Sequence, residues 1–410
     1  MNPVRPETPP PPHNAAPVGP AADGRSALDS ASGGHDARDL HGFHWFFVGN
    51  QGLRAGWSVL IAVILYRLFT PVLGTMAVGF YPTAAYPGFS PGTAILGELV
   101  PLLTMLVVGV VLTRIEQRKM LDYNLRGPRP ALHFIAGLAC GFAALSALVG
   151  ALALGGWLHF GPIALSGTSI IRFGALWGCA FLLVGCVEEG MFRCYLQFTF
   201  TRGINFWWAA GVIGVVCLDL LLRTKGYAGF ITYVWLDSLP AIRGDSIWGV
   251  YAVAALGLVP CLMLHVKKAE SSGFWQAAWA TSTLFGFVHT SNRGENWTGI
   301  LAAAGIGFVF VVSVRVTGSA WWAIGCHAAW DWAESYFYGT ADSGLQAKGH
   351  FLTTSPVGST LWSGGTDGPE GSLLVLGIIL TMLAALLIYR RKRDSAPAAV
   401  VAAQVGLTGA

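Results

Sequence analysis

Ten apolar runs leave this chain few ways to fold, because each is close to the roughly 20 residues a helix needs to cross a bilayer's hydrocarbon core. They fall at 55–78, 95–114, 132–156, 173–200, 205–222, 248–266, 274–291, 298–315, 318–336 and 372–389. Backbone polar groups in lipid must be satisfied within the segment, which for runs of this length means helices. Charge supports the same reading: 11% of the 410 residues are Asp, Glu, Lys or Arg, and 54% are hydrophobic. A soluble domain carries about a quarter charged residues, so this chain cannot clothe a water-facing surface of its size. The expectation is an all-α polytopic membrane protein, a bundle of about ten transmembrane helices. The run 205–222 is the weakest of the ten, being short and holding Asp219.

The net charge of +4 is concentrated in a few clusters. Arg114 to Arg129, Arg202, Lys267-Lys268, Arg315 and Arg390 to Arg393 fall on one side of a ten-span arrangement. The positive-inside rule then places both termini in the cytoplasm of a multi-pass cell-membrane protein. Arg223, Lys225, Arg243 and Arg293 run against this assignment locally. No aromatic-basic stripe supports a nucleic-acid partner; the expected surroundings are the lipid bilayer. Residues 1–42, rich in Pro, Ala and Gly, lack the apolar core of a signal peptide and read as a disordered cytoplasmic tail. His41 to Phe47 (HGFHWFF) reads as an aromatic entry into the interface. All seven cysteines sit in apolar runs without a CxxC pair and read as small packing residues.

Ionisable side chains within a span cost roughly 2.5–3.5 kcal/mol each on insertion scales, so they are where function is sought. Three clusters qualify. In Val187-Glu188-Glu189-Gly190-Met191-Phe192-Arg193, Glu189 and Arg193 are four apart and can pair on a helix. Glu188 projects about 100° away and is left free to act as a general base. A helix-packing salt bridge with a spare carboxylate is the plainer reading. The second cluster is Phe285-Gly286-Phe287-Val288-His289, whose histidine alone could be a satisfied hydrogen-bonding residue. The third, His327-Ala328-Ala329-Trp330-Asp331-Trp332-Ala333-Glu334, places His327, Asp331 and Glu334 on one helical face. His and Asp one turn apart suit a metal or a water-activating site, or simply a hydrogen bond locking two helices. Glu334, nearer the span's end, reads as solvated.

EExxxR, FxxxH and HxxxD, in this order on separate membrane helices, resemble the CPBP (CAAX protease and bacteriocin-processing, or Abi) family of intramembrane metalloproteases, which includes the type II CAAX prenyl endopeptidases. The similar core would run over 131–336. The resemblance implies an intramembrane endopeptidase acting on peptide or membrane-protein substrates, of which prenyl-CAAX proteins are one class. It implies catalytic roles for Glu188, His289, His327 and Asp331, with Glu189 and Arg193 supporting. Two mechanisms stay open. Zinc held by Glu188, His289, His327 and Asp331 would lower the pKa of its water. A metal-free site would stabilise the oxyanion with His327 and its partner. Many relatives carry Asn where this chain has Asp331, and an ionised Asp suits a metal better than an oxyanion. No HExxH motif occurs.

The implied layout is a tail at 1–42, membrane helices at 43–130, a catalytic core at 131–336, an extracytoplasmic loop at 337–371, and a last helix with a basic tail at 372–410. The core is interrupted at about 203–272, where relatives have a short turn. Two other functions compete. A non-catalytic family member could act as an immunity or scaffold partner, and a proton-coupled transporter could use the same groups as a relay. No internal repeat of the kind transporters often show is visible.

Overall fold

The computed structural model describes residues 44–80, 88–224, 246–292 and 294–395. The expectations for the tail at 1–42, for Lys225, Arg243 and Arg293, and for 396–410 lie outside the described residues. The fold is helical, as the apolar runs require. In chain order the helices are α1 (Ala55–Phe80), α2 (Pro91–Glu116), α3 (Pro130–Leu154), α4 (Thr168–Glu189), α5 (Phe206–Thr224), α6 (Ser246–Val266), α7 (Ser272–His289), α8 (Trp297–Thr317), α9 (Trp321–Asp331) and α10 (Leu374–Asp394). Local chemistry sets several ends. Ser90 caps α2 by accepting from the Thr93 amide, with Pro91 at the first helical position. Asn296 caps α8 by accepting from the Thr298 and Gly299 amides, so the polar turn after His289 is a helix start.

Every expected apolar run is helical, but only eight of the described helices are long and apolar enough to cross a membrane on composition alone. The exceptions are α7 and α9. The α7 helix carries Gln276, Thr281, Ser282 and Thr283, all buried. Its surroundings are protein rather than lipid: Thr281 Oγ1 donates to Gln197 Oε1 at 3.0 Å. A helix enclosed by other helices does not need an apolar surface, which is why hydropathy is lower where the chemistry sits. The α8 helix is likewise mostly buried, whereas α1 faces outward along nearly its whole length.

Two motif helices change pitch within or just after their motifs. α4 continues as a π-helical turn, Gly190–Leu196, before the short helix Gln197–Thr201. α9 continues as a π-helical turn, Trp332–Tyr338. Such wide turns are rare and concentrate at functional sites.

Close backbone contact holds α9 in place. A Cβ built on Gly137 would collide with the Trp322 carbonyl oxygen, and one on Gly141 would collide with that of Cys326. From the other side, a Cβ on Gly325 would strike the Phe134 carbonyl oxygen. Gly137 and Gly141 form a GxxxG face, the small-residue device that lets membrane helices touch. α9 also packs on α4, and α7 on α8. Helices α5 and α6, in the stretch read as an insertion, pack on each other and on α7. Beyond α3, strand β1 (Leu158–Ile163) pairs antiparallel with β2 (Leu352–Pro356), with an irregularity between Phe160 and Ile163 where Pro162 offers no amide. This pairing ties the 337–371 loop to the end of α3.

Candidate active site

Each motif contributes to one cavity of about 1730 Å³, lined among others by Glu188, His289, His327 and Asp331. α4 brings Glu188 and Glu189, α7 brings His289 as its last residue, and α9 brings His327 and Asp331. His289 thus reaches the same chamber as Glu188, although one lies at a helix end and the other within the longer helical run through Thr201.

Adjacent glutamates do different work. Glu189 is fully buried and pairs with Arg193, Nε to Oε2 at 3.0 Å. Its other oxygen, Oε1, lies 2.9 Å from His327 Nδ1. Glu188, one helical step away, keeps about a third of its side chain exposed and places Oε2 3.9 Å from His327 Nε2. Asp331 Oδ2 lies 3.5 Å from the same Nε2. Since Glu189 accepts from Nδ1–H, Nε2 of His327 is the nitrogen turned toward Glu188 and Asp331. His289 is oriented similarly, its Nδ1 lying 2.7 Å from the Phe285 carbonyl oxygen, which leaves Nε2 for the chamber. Both imidazoles are therefore held by one nitrogen and available at the other.

Arg193 has no exposed surface, and its guanidinium lies over the Phe285 ring at 4.2 Å, Phe310 at 5.4 Å and Phe192 at 5.6 Å. Aromatic faces take over part of the solvation that burial removes. Phe285 also packs on His289 and His327, with ring centroids 4.7 and 6.2 Å apart. The phenylalanine of FxxxH is thus the wedge between both histidines and the arginine.

A family model described as type II CAAX prenyl endopeptidase Rce1-like matches residues 261–333. Over that stretch the chain is similar to the Rce1-like family. No curated protein and no solved structure matches it. The matched stretch carries His289, His327 and Asp331 but stops short of Glu188 to Arg193. The family is one of membrane proteases, so peptide-bond hydrolysis is the chemistry to set against this geometry.

Two imidazole Nε2 atoms and two carboxylates form a donor set of the kind zinc takes, so the residues fit the ion by chemistry. Among the described residues, however, the group that gathers three ligand atoms within 4.8 Å of one another is Glu334, Asp342 and Glu370. This corrects the reading of Glu334 as solvated: it is fully buried. The wider π-helical turn beginning at Trp332 changes the angular step, and Glu334 is not among the residues lining the chamber beside Asp331. Asp342 and Glu370 do reach the chamber wall. Burial pushes the Glu370 carboxyl up to about 7; the Asp342 charge adds to this, and the Trp330 hydrogen bond opposes it. Glu98 of α2 lines the chamber as well. Its signal was present in the sequence as a carboxylate inside the run 95–114. Gly88 to Gly92 spells GxSxG, but Ser90 is the helix cap of α2 rather than a nucleophile on a strand-to-helix turn.

Proposed function

We propose that this protein is an intramembrane endopeptidase that hydrolyses a peptide bond of a membrane-associated substrate of the prenyl-CAAX type, with Glu188 as the water-activating base. The observation that carries this reading is the convergence of Glu188, His289, His327 and Asp331 on one chamber, with each histidine held through Nδ1. Glu188 takes a proton from a water whose oxygen attacks the scissile carbonyl carbon. It then returns the proton to the leaving amine as the C–N bond breaks. His327 Nε2 faces both Glu188 and Asp331 and holds the polar end of the chamber. His289, His327 and Asp331 would hold a zinc ion, leaving Glu188 for the water; when bound, the ion would polarise the carbonyl and acidify the water. Part of the wall is apolar, with Trp57, Val59 and Leu60 from α1 and Val212 and Val215 from α5. Such a surface suits a lipid-bearing substrate.

The test is cleavage of a panel of prenylated and unprenylated CAAX-type peptides by the full chain in detergent and in vesicles. Glu188→Gln and His327→Ala are each expected to lower cleavage by at least about 100-fold, with bound metal measured by mass spectrometry and activity followed through chelation. If wild type cuts nothing that these variants fail to cut, the peptidase reading fails. If cleavage survives chelation in metal-free protein, zinc has no part in it.

A further inference from the structure

Beyond Asp331 the chain gathers a second set of carboxylates that peptide hydrolysis does not use. Glu334 comes from the π-helical turn after α9, Asp342 from the short strand Ala341–Asp342, and Glu370 from the turn Pro369–Gly371. One carboxylate oxygen from each lies within 4.8 Å of the others. Glu334 is fully buried, and neither of its carboxylate oxygens has a hydrogen-bond partner. Among the described residues, no Lys or Arg is ion-paired with any of the three.

Carboxylates crowded together, one fully buried and two half-buried, call for a cation or for shared protons. The neighbours favour a cation. Trp330 Nε1 donates to Glu370 Oε1 at 2.6 Å, and Ser335 Oγ donates to Asp342 Oδ2 at 2.8 Å. Each bond engages one oxygen of its carboxylate, and Glu334 is left without any donor. Calcium sits about 2.3–2.6 Å from its oxygens, so ligands on opposite sides are up to about 5 Å apart, matching the spacing here. With no imidazole or thiolate in the set, zinc is a poorer match.

We propose that Glu334, Asp342 and Glu370 bind a hard divalent cation, calcium, which staples the 337–371 loop to α9 beside the reactive chamber. The ion would join three separate elements, the π-helical turn at Glu334, the strand at Asp342 and the turn at Glu370. Through Trp330, which directly precedes Asp331, it would also fix the end of the helix that presents His327. This site is distinct from Glu188, His289, His327 and Asp331 and stands whether or not the peptidase reading holds.

The test uses the full chain in detergent, stripped with EGTA, with thermal unfolding followed as CaCl2 is added. Wild type is expected to gain roughly 3 °C or more in Tm with saturation, since a ligand that binds only the folded state stabilises it. MgCl2, which demands a tighter octahedron, should give less. Glu334→Gln combined with Asp342→Asn should abolish the gain. Because each amide keeps the side-chain shape and relieves the repulsion among crowded carboxylates, the stripped variant should melt no lower than stripped wild type. Glu370→Gln keeps an acceptor for Trp330 and should weaken the calcium response at least 10-fold. Glu188→Gln should retain it. No gain in stripped wild type, an undiminished gain in the variants, or loss of the gain in Glu188→Gln would each overturn the proposal.

Discussion

Glu189 serves two partners at once, Arg193 on Oε2 and His327 on Oε1, and neither it nor Arg193 has exposed surface. The i, i+4 spacing made the arginine contact legible in the sequence. The histidine contact was not, because it joins helices 138 residues apart. Glu189 is therefore a positioning residue for His327 as well as half of an ion pair. Removing one member of a buried pair leaves the other charge uncompensated and costs about 3–5 kcal/mol. Glu189→Leu is expected to lose stability on that scale in unfolding measurements on detergent-solubilised protein. Glu189→Leu with Arg193→Met should recover most of the loss, because both charges are then gone. Peptide cleavage should stay low in the double variant, since His327 Nδ1 still lacks its acceptor. Recovery of both properties together would reduce Glu189 to a structural role. The position of Glu188, by contrast, was legible: once its neighbour is committed to Arg193, the remaining carboxylate is the one left at the chamber wall.

Between elements, the contact that most constrains the site is α3 against α9, where carbonyl oxygens fill the space that side chains would occupy. The residues Gly137, Gly141 and Gly325 were all visible in the sequence, but glycine is common in membrane helices and nothing marked these three as an interface. Even one added carbon at Gly141 would run into the carbonyl oxygen of Cys326, the residue directly before His327. Gly141→Val is expected to force the helices apart, costing roughly 1–3 kcal/mol by overpacking and lowering cleavage through displacement of His327. Gly150 lies on the same helix, where a Cβ would meet nothing within 4 Å, so Gly150→Ala should leave both stability and cleavage unchanged. Parallel unfolding and cleavage assays of the two variants check this, and equal behaviour would refute the close-contact account. The π-helical turns had no signature at all in the sequence. Their wide pitch is set by tertiary packing, which is why the strictly α-helical spacing placed Glu334 on the wrong face.

Across the whole molecule, the apolar runs made the bundle legible. What they could not reveal was where the helices of the stretch 203–272 would pack. Helix α5 packs on α7 and sends Gly211, Val212 and Val215 to the chamber wall, so it shapes the space around the candidate site residues. Pocket walls of this kind set which substrates fit rather than the chemistry performed on them. Gly211 offers a clean probe because a Cβ there meets nothing within 4 Å, while the residue itself lines the chamber. Gly211→Phe should therefore fold as wild type does and protrude into the chamber. Cleavage of a prenylated peptide is expected to fall about 10-fold or more in kcat/KM, whereas a short unprenylated peptide should lose much less, because one filled subsite costs a hydrophobic substrate on the order of 1–3 kcal/mol. Equal losses for both peptides at unchanged Tm would place the lipid elsewhere in the chamber and leave α5 as scaffold alone.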